Sequence, residues 1–84
     1  MQKVNMESKV YKTKDLAEAS FLLAKGKSLL VLERDGKTCW FVYPDKEECT
    51  QLISAYWFGN ALIQGRDFYQ AIQMLKNKIF SNVG

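Results

Sequence analysis

Residues 29–44 read LLVLERDGKTCWFVYP, two apolar runs meeting at Arg34-Asp35-Gly36-Lys37. Leu, Val, Trp, Phe and Tyr favour a pleated, half-buried surface, and Asp-Gly supplies the positive φ angles of a tight turn, so the stretch is predicted to be a β-hairpin. Two registers compete. A two-residue turn at Asp35-Gly36 pairs Arg34 with Lys37, whereas a three-residue loop with Gly36 as a bulge pairs Glu33 with Lys37. The second brings opposite charges together, an advantage of about 0.5–1 kcal/mol on the usual scale of cross-strand pairs, and is the expected one. It puts Leu29, Val31, Cys39, Phe41 and Tyr43 on one face and Leu30, Leu32, Trp40 and Val42 on the other. Both faces are apolar, so the ribbon needs cover on two sides.

Upstream, Val10–Thr13 is expected to be a first strand with Lys12 and Lys14 on one face and Tyr11 and Thr13 on the other. Asp15 followed by Glu18 resembles a capping box: the Asp oxygen accepts a first-turn amide and Glu18 reaches back to the amide of Asp15. The helix that starts there runs from Leu16 to about Lys25, with Leu16, Ala19, Leu22 and Leu23 facing the core, and Gly26 ends it. Downstream, Pro44 cannot donate a ladder hydrogen bond and closes the hairpin's second strand. Asp45 and Glu48 repeat the cap, and Cys49, Leu52, Ile53, Tyr56 and Trp57 recur at helical spacing until Gly59-Asn60. After a short extended link at residues 61–64, Asp67 with Gln70 is expected to cap a third helix. Phe68, Ala71, Ile72, Leu75 and Ile79 form its apolar stripe, and Lys76 and Lys78 suit its C-terminal dipole.

The order is β-α-β-β-α-α, an α+β fold. Its three-stranded antiparallel or mixed sheet is expected to carry the most apolar strand in the centre, in spatial order 2-3-1, packed against helices. The first two helices can cover one sheet face; the third helix, another chain or a ligand must cover the other. Residues 1–8 are polar and aperiodic and are expected to form a flexible arm ahead of a single domain spanning 9–84.

Composition bounds the function. The 84 residues are 48% hydrophobic and 25% charged, as in one small foldable domain. A net charge of +3 is mild for a dedicated duplex-DNA binder, although it leaves nucleic acid open. With two cysteines and no histidine, the common zinc ligand sets cannot be assembled, so neither metal nor cofactor is expected. Cys39 and Cys49 read as small buried hydrophobes of a reducing compartment, a disulfide being the lesser reading. The start MQKVNMESKV lacks an apolar signal region and no run approaches a membrane span, so the expectation is a soluble, cytoplasmic protein without a membrane partner.

The absence of histidine excludes the Ser-His-Asp and Cys-His arrangements, and no glycine-rich phosphate loop is present. Glu33 and Asp35 flank a turn, and Glu47 and Glu48 open a helix where the dipole favours carboxylates. The chain is therefore expected not to be an enzyme. Two constellations point to binding instead. Aromatics make up 13% of the chain, a surplus for so small a core. Trp40 on the second sheet face, and Tyr56, Trp57 and Phe58, which cannot all point inward from one helix, are the candidates for contact with a protein partner or a second copy of the chain. The alternative is nucleic acid, with Lys12, Lys14, Lys25 and Lys27 tracking phosphates and Tyr11 stacking a base. Two lysines lie at each end of a helix about 15 Å long at 1.5 Å per residue, which favours ordinary solvated surface.

The pattern TKDLAEASFLLAKG in residues 13–26, LERDGKTCWFVYPDKEEC in 32–49 and LKNKIF in 75–80 resembles a family of small bacterial and phage proteins of unknown function. The resemblance implies a compact stand-alone domain from a prokaryote, its virus or a mobile element. It carries no activity and no site residues to transfer.

Overall fold

The computed structural model describes residues 9–59 and 61–81. The elements follow the order β1 (Val10–Thr13), α1 (Leu16–Ala24), β2 (Val31–Asp35), β3 (Thr38–Pro44), α2 (Lys46–Trp57) and α3 (Gly65–Ser81). The strands form one antiparallel sheet in the order β1-β3-β2, with the apolar β3 in the centre as expected. The arm assigned to residues 1–8 lies outside the described residues.

The hairpin adopts neither of the two registers the sequence suggested. Asp35 pairs with Thr38, Arg34 with Cys39, Glu33 with Trp40 and Leu32 with Phe41, so the two central turn residues are Gly36 and Lys37. Gly36 has φ +62° and Lys37 has no positive φ, the pattern of a type II′ turn with glycine first. Glu33 does not need Lys37 as its partner. It reaches across β3 to Lys12 of β1, Oε1 to Nζ 3.2 Å. Because side chains alternate along a strand, the register change turns β2 over. Leu32 joins Tyr11, Thr13, Phe41 and Tyr43 on one face, while Val31 and Glu33 join Lys12, Trp40 and Val42 on the other.

All three helices lie against the Phe41–Tyr43 face. Ala19, Phe21 and Leu22 of α1, Cys49 and Ile53 of α2 and Leu75 of α3 form one buried cluster with Phe41 and Tyr43. Helix α1 packs against both α2 and α3. The Arg34 guanidinium donates to the Ile79 carbonyl at 3.3 Å, tying the last turn of α3 to β2. Helix three therefore extends the helical layer, and no helix among the described residues lies against the Trp40 face.

Local chemistry sets the helix ends. The Asp15 carboxylate accepts the Glu18 amide at 3.1 Å, and Gly26, at φ +98°, follows the C-cap of α1. Asp45 caps α2 in the same way, accepting the Glu48 amide at 3.3 Å. Its φ of +62° is a conformation that Asp tolerates better than most residues. The third helix begins three residues earlier than a cap at Asp67 suggested. The Gln64 carbonyl accepts the Phe68 amide at 3.1 Å, and Asp67 sits inside the first turn, where it still favours the dipole.

Tyr43 is fully buried, and its hydroxyl donates to the Ala19 carbonyl at 2.7 Å. Burial, with a smaller contribution from Cys49, pushes its pKa well above the ordinary tyrosine range; Tyr11 and, by burial, the Cys49 thiol are also raised. Groups raised in the folded state keep their full stabilisation below the unfolded pKa and lose it as pH climbs. Stability should therefore begin to fall above about pH 8.5, as the unfolded thiol titrates, and fall more steeply above about pH 10, as unfolded tyrosines do. Urea midpoints recorded across this range check the prediction, and Tyr43→Phe should flatten the upper part of the decline.

Candidate functional site

Trp40, half-buried, stands on the sheet face that no helix among the described residues covers. Its strand neighbour Val42, two residues on, is buried at 4% exposure, while Val31 of β2 beside it is 47% exposed. The Lys14 ammonium sits 5.8 Å from the Trp40 ring centroid, within cation–π range. The Lys12–Glu33 pair spans β3 next to it. Both partners are well solvated, so the pair contributes about 0–1 kcal/mol and shapes the surface more than it holds it together. Lys12, Glu33, Arg34, Asp35 and Trp40 line an open depression of about 590 Å³ that runs from this face to the edge of β2.

The aromatic trio at the end of α2 points in three directions. Tyr56 turns inward and packs on Phe21, ring centroids 5.0 Å apart, with Trp57 edge-on to it at 5.2 Å. The Trp57 ring is 59% exposed, and Phe58, at 77%, stands in solvent. This corner belongs to the helical layer, on the side of the sheet opposite Trp40. The two aromatic groups singled out from the sequence are thus separate surfaces.

What fixes the corner is Glu18, a residue the sequence offered only as half of a capping box. One carboxylate oxygen accepts the Tyr11 hydroxyl at 2.9 Å and the Thr13 hydroxyl at 2.8 Å; the other accepts the Trp57 indole N–H at 2.6 Å. The Asp15 amide that Glu18 was expected to satisfy donates instead to the Thr13 hydroxyl at 3.1 Å. One carboxylate therefore joins β1, the first turn of α1 and the last turn of α2. The available signal was the pairing of Tyr11 and Thr13, two donors on one strand face immediately before the cap.

The four lysines divide. Lys12 and Lys14 stand on the Trp40 face. Lys25 donates to the Leu62 carbonyl at 2.7 Å and lies 5.7 Å from the Phe21 ring centroid, while Lys27 pairs with Glu48 beside Asp45 at the start of α2. Tyr11 faces the helices with its hydroxyl committed to Glu18. The set of Tyr11, Lys12, Lys14, Lys25 and Lys27 is not brought together on one surface.

Cys39 is half-buried and Cys49 buried, and neither forms a disulfide. The Cys49 thiol donates to the Pro44 carbonyl at 3.2 Å, and burial raises its pKa, so it is held as an unreactive thiol. Among the described residues no group of three or more Cys, Asp or Glu is placed to hold a metal ion, and no helix is long and apolar enough to cross a membrane.

Residues 8–81 match the model of a family described as a domain of unknown function, DUF5659, and the chain belongs to that family. No curated protein and no solved structure matches it.

Proposed function

We propose that this domain is a small, non-enzymatic binding module that acts in the cytoplasm of a bacterial or phage-infected cell by contacting another protein. The observation that carries the reading is the placement of Trp40. A large aromatic ring lies on a sheet face that no helix among the described residues covers, bordered by the exposed Val31 and rimmed by Lys12, Lys14 and Glu33. An aromatic anchor in an apolar centre with a charged rim is the arrangement that dominates binding energy at protein interfaces. The bacterial or phage origin follows from the likeness of residues 13–26, 32–49 and 75–80 to small proteins of such sources.

The immobilised domain is expected to retain a specific protein from a lysate of its host, and Trp40→Ala to lose it while keeping its unfolding free energy, from urea titration, within about 1 kcal/mol of the parent, because the ring lies outside the buried cluster. A Trp40→Ala variant that unfolds, or that retains the partner as well as the parent, removes the basis of the reading. Phe58→Ala, on the other side of the molecule, serves as the control.

One observation favours a second reading. Lys12 and Lys14 share the face of Trp40, so a single-stranded nucleic acid could stack a base on the ring with phosphates on the two ammonium groups. Gel shifts with single- and double-stranded DNA and RNA at low and moderate salt separate the two. Salt-sensitive binding lost in Lys12→Ala/Lys14→Ala supports nucleic acid, and no shift at low salt rules it out.

A further inference from the structure

We infer that the outer edge of β1 is a docking groove for an extended acidic segment of a partner protein, which adds to the sheet as a fourth strand. The inference rests on the protein-binding reading and names the partner's chemistry and mode of attachment. With the order β1-β3-β2, β1 has β3 on one side and, among the described residues, no strand on the other. Among the described residues its outward amides and carbonyls have no strand partner and can pair with an incoming backbone.

A depression of about 290 Å³ is lined by Val10, Tyr11, Lys12 and Lys46. Side chains of consecutive strand residues alternate between faces, so three in a row can line one depression only if it runs along the strand's edge. Lys46, the first residue of α2, forms the opposing wall. The groove therefore follows the line that a fourth strand would occupy.

Charge selects the occupant. Two of the four lining residues are lysines and no carboxylate lines the groove; Lys12 is paired with Glu33 across β3, so the charge left for an occupant is that of Lys46. Lys9 precedes β1 in sequence, and among the described residues neither it nor Lys46 forms a salt bridge, whereas Lys14 lies over the Trp40 ring. Pairing of two copies through this edge would set lysines against lysines, which is how natural sheets discourage self-association at an edge. An acidic strand reverses that repulsion and gains the same backbone hydrogen bonds. The other edge, β2, presents Glu33, Arg34 and Asp35 in succession and offers no such preference.

The test uses the full chain, isotope-labelled, titrated with an acetylated and amidated heptapeptide of alternating glutamate and valine. The expected result is chemical-shift change and slowed hydrogen exchange at the amides of residues 10–14, weakening as salt is raised. Binding should fall about tenfold in Lys12→Gln/Lys46→Glu, a variant altered only on exposed side chains. The same peptide N-methylated at every residue should not bind, since neither of its edges then offers a backbone donor. Absence of any response at residues 10–14, equal binding of a lysine–valine heptapeptide, or shifts confined to Trp40 and Val42 would each overturn the inference. Should the edge fail to respond while Trp40→Ala still abolishes partner capture, the protein-binding reading stands and the strand-addition mode falls. A response at the edge with capture indifferent to Trp40 supports this docking mode and removes Trp40 from the site.

Discussion

Replacing Tyr43 with alanine should destabilise the domain by about 3–5 kcal/mol, the range for deleting a large buried aromatic ring. The ring is fully buried near the C-terminal end of β3, opposite Tyr11 of β1 and beneath the helices, and belongs to the cluster that holds Phe21, Leu22, Cys49 and Leu75. No neighbour is free to collapse into the space, because the cluster draws on the sheet and all three helices at once. At about 0.05–0.15 kcal/mol per residue, a domain of this length has about 4–13 kcal/mol in total. The variant should therefore be largely unfolded at the low end of that range, and even at the high end its urea midpoint should drop sharply. Tyr43→Phe separates packing from hydrogen bonding. It keeps the ring and removes only the bond to the Ala19 carbonyl, which lies within α1, so its expected cost is about 1 kcal/mol. Equal losses in the two variants would place the stabilisation in the hydroxyl and contradict the packing argument.

Elements were legible where local chemistry decides them. Gly26 and the D-x-x-E caps bound α1 and start α2, Pro44 ends β3, and the apolar run of residues 39–43 claims the centre of the sheet. The hairpin register was not legible, because it turns on whether the loop holds two residues or three, a difference of one residue that inverts every side chain of β2. Within the hairpin alone, Lys37 is the cation that Glu33 can meet on the adjacent strand. Its actual partner, Lys12, comes from the strand beyond, which a hairpin taken alone cannot show. The position of α3 was open for a similar reason: its apolar stripe has the same pattern whichever surface it meets, and only the structure shows it extending the helical layer beside α1. For the aromatic trio, a rotation of about 100° per residue dictated that the three diverge, but not which one goes inward. Tyr56 goes in because Phe21 waits for it there.

Glu18→Ala should have the second large effect, about 2–3 kcal/mol, although the residue belongs to no apolar cluster. Its carboxylate accepts hydrogen bonds from Tyr11, Thr13 and Trp57, and bonds to a charged acceptor contribute about 1.5–3 kcal/mol each before solvent competes. Solvent competes unequally. The Trp57 ring is more than half exposed, so its N–H regains water at little cost, whereas Thr13 is buried and Tyr11 is half-buried, so their hydroxyls are poorly placed to do so. The loss should thus fall on β1 rather than on α2. Amide exchange at residues 11–13 should accelerate beyond what the global change in stability accounts for, and indole emission from Trp57 should shift while that from Trp40 stays constant. Glu18→Gln keeps an acceptor oxygen and the side-chain volume, and its expected cost is about 1 kcal/mol. A double-mutant cycle with Trp57→Phe isolates the indole bond, with a coupling of about 0.5 kcal/mol expected for a solvated site. A coupling near zero would mean that Trp57 merely rests on Glu18, and the corner would then be held by the contact of Tyr56 with Phe21 alone. A Glu18→Ala variant with unchanged exchange in β1 would remove this carboxylate as the link between the strand and the helices.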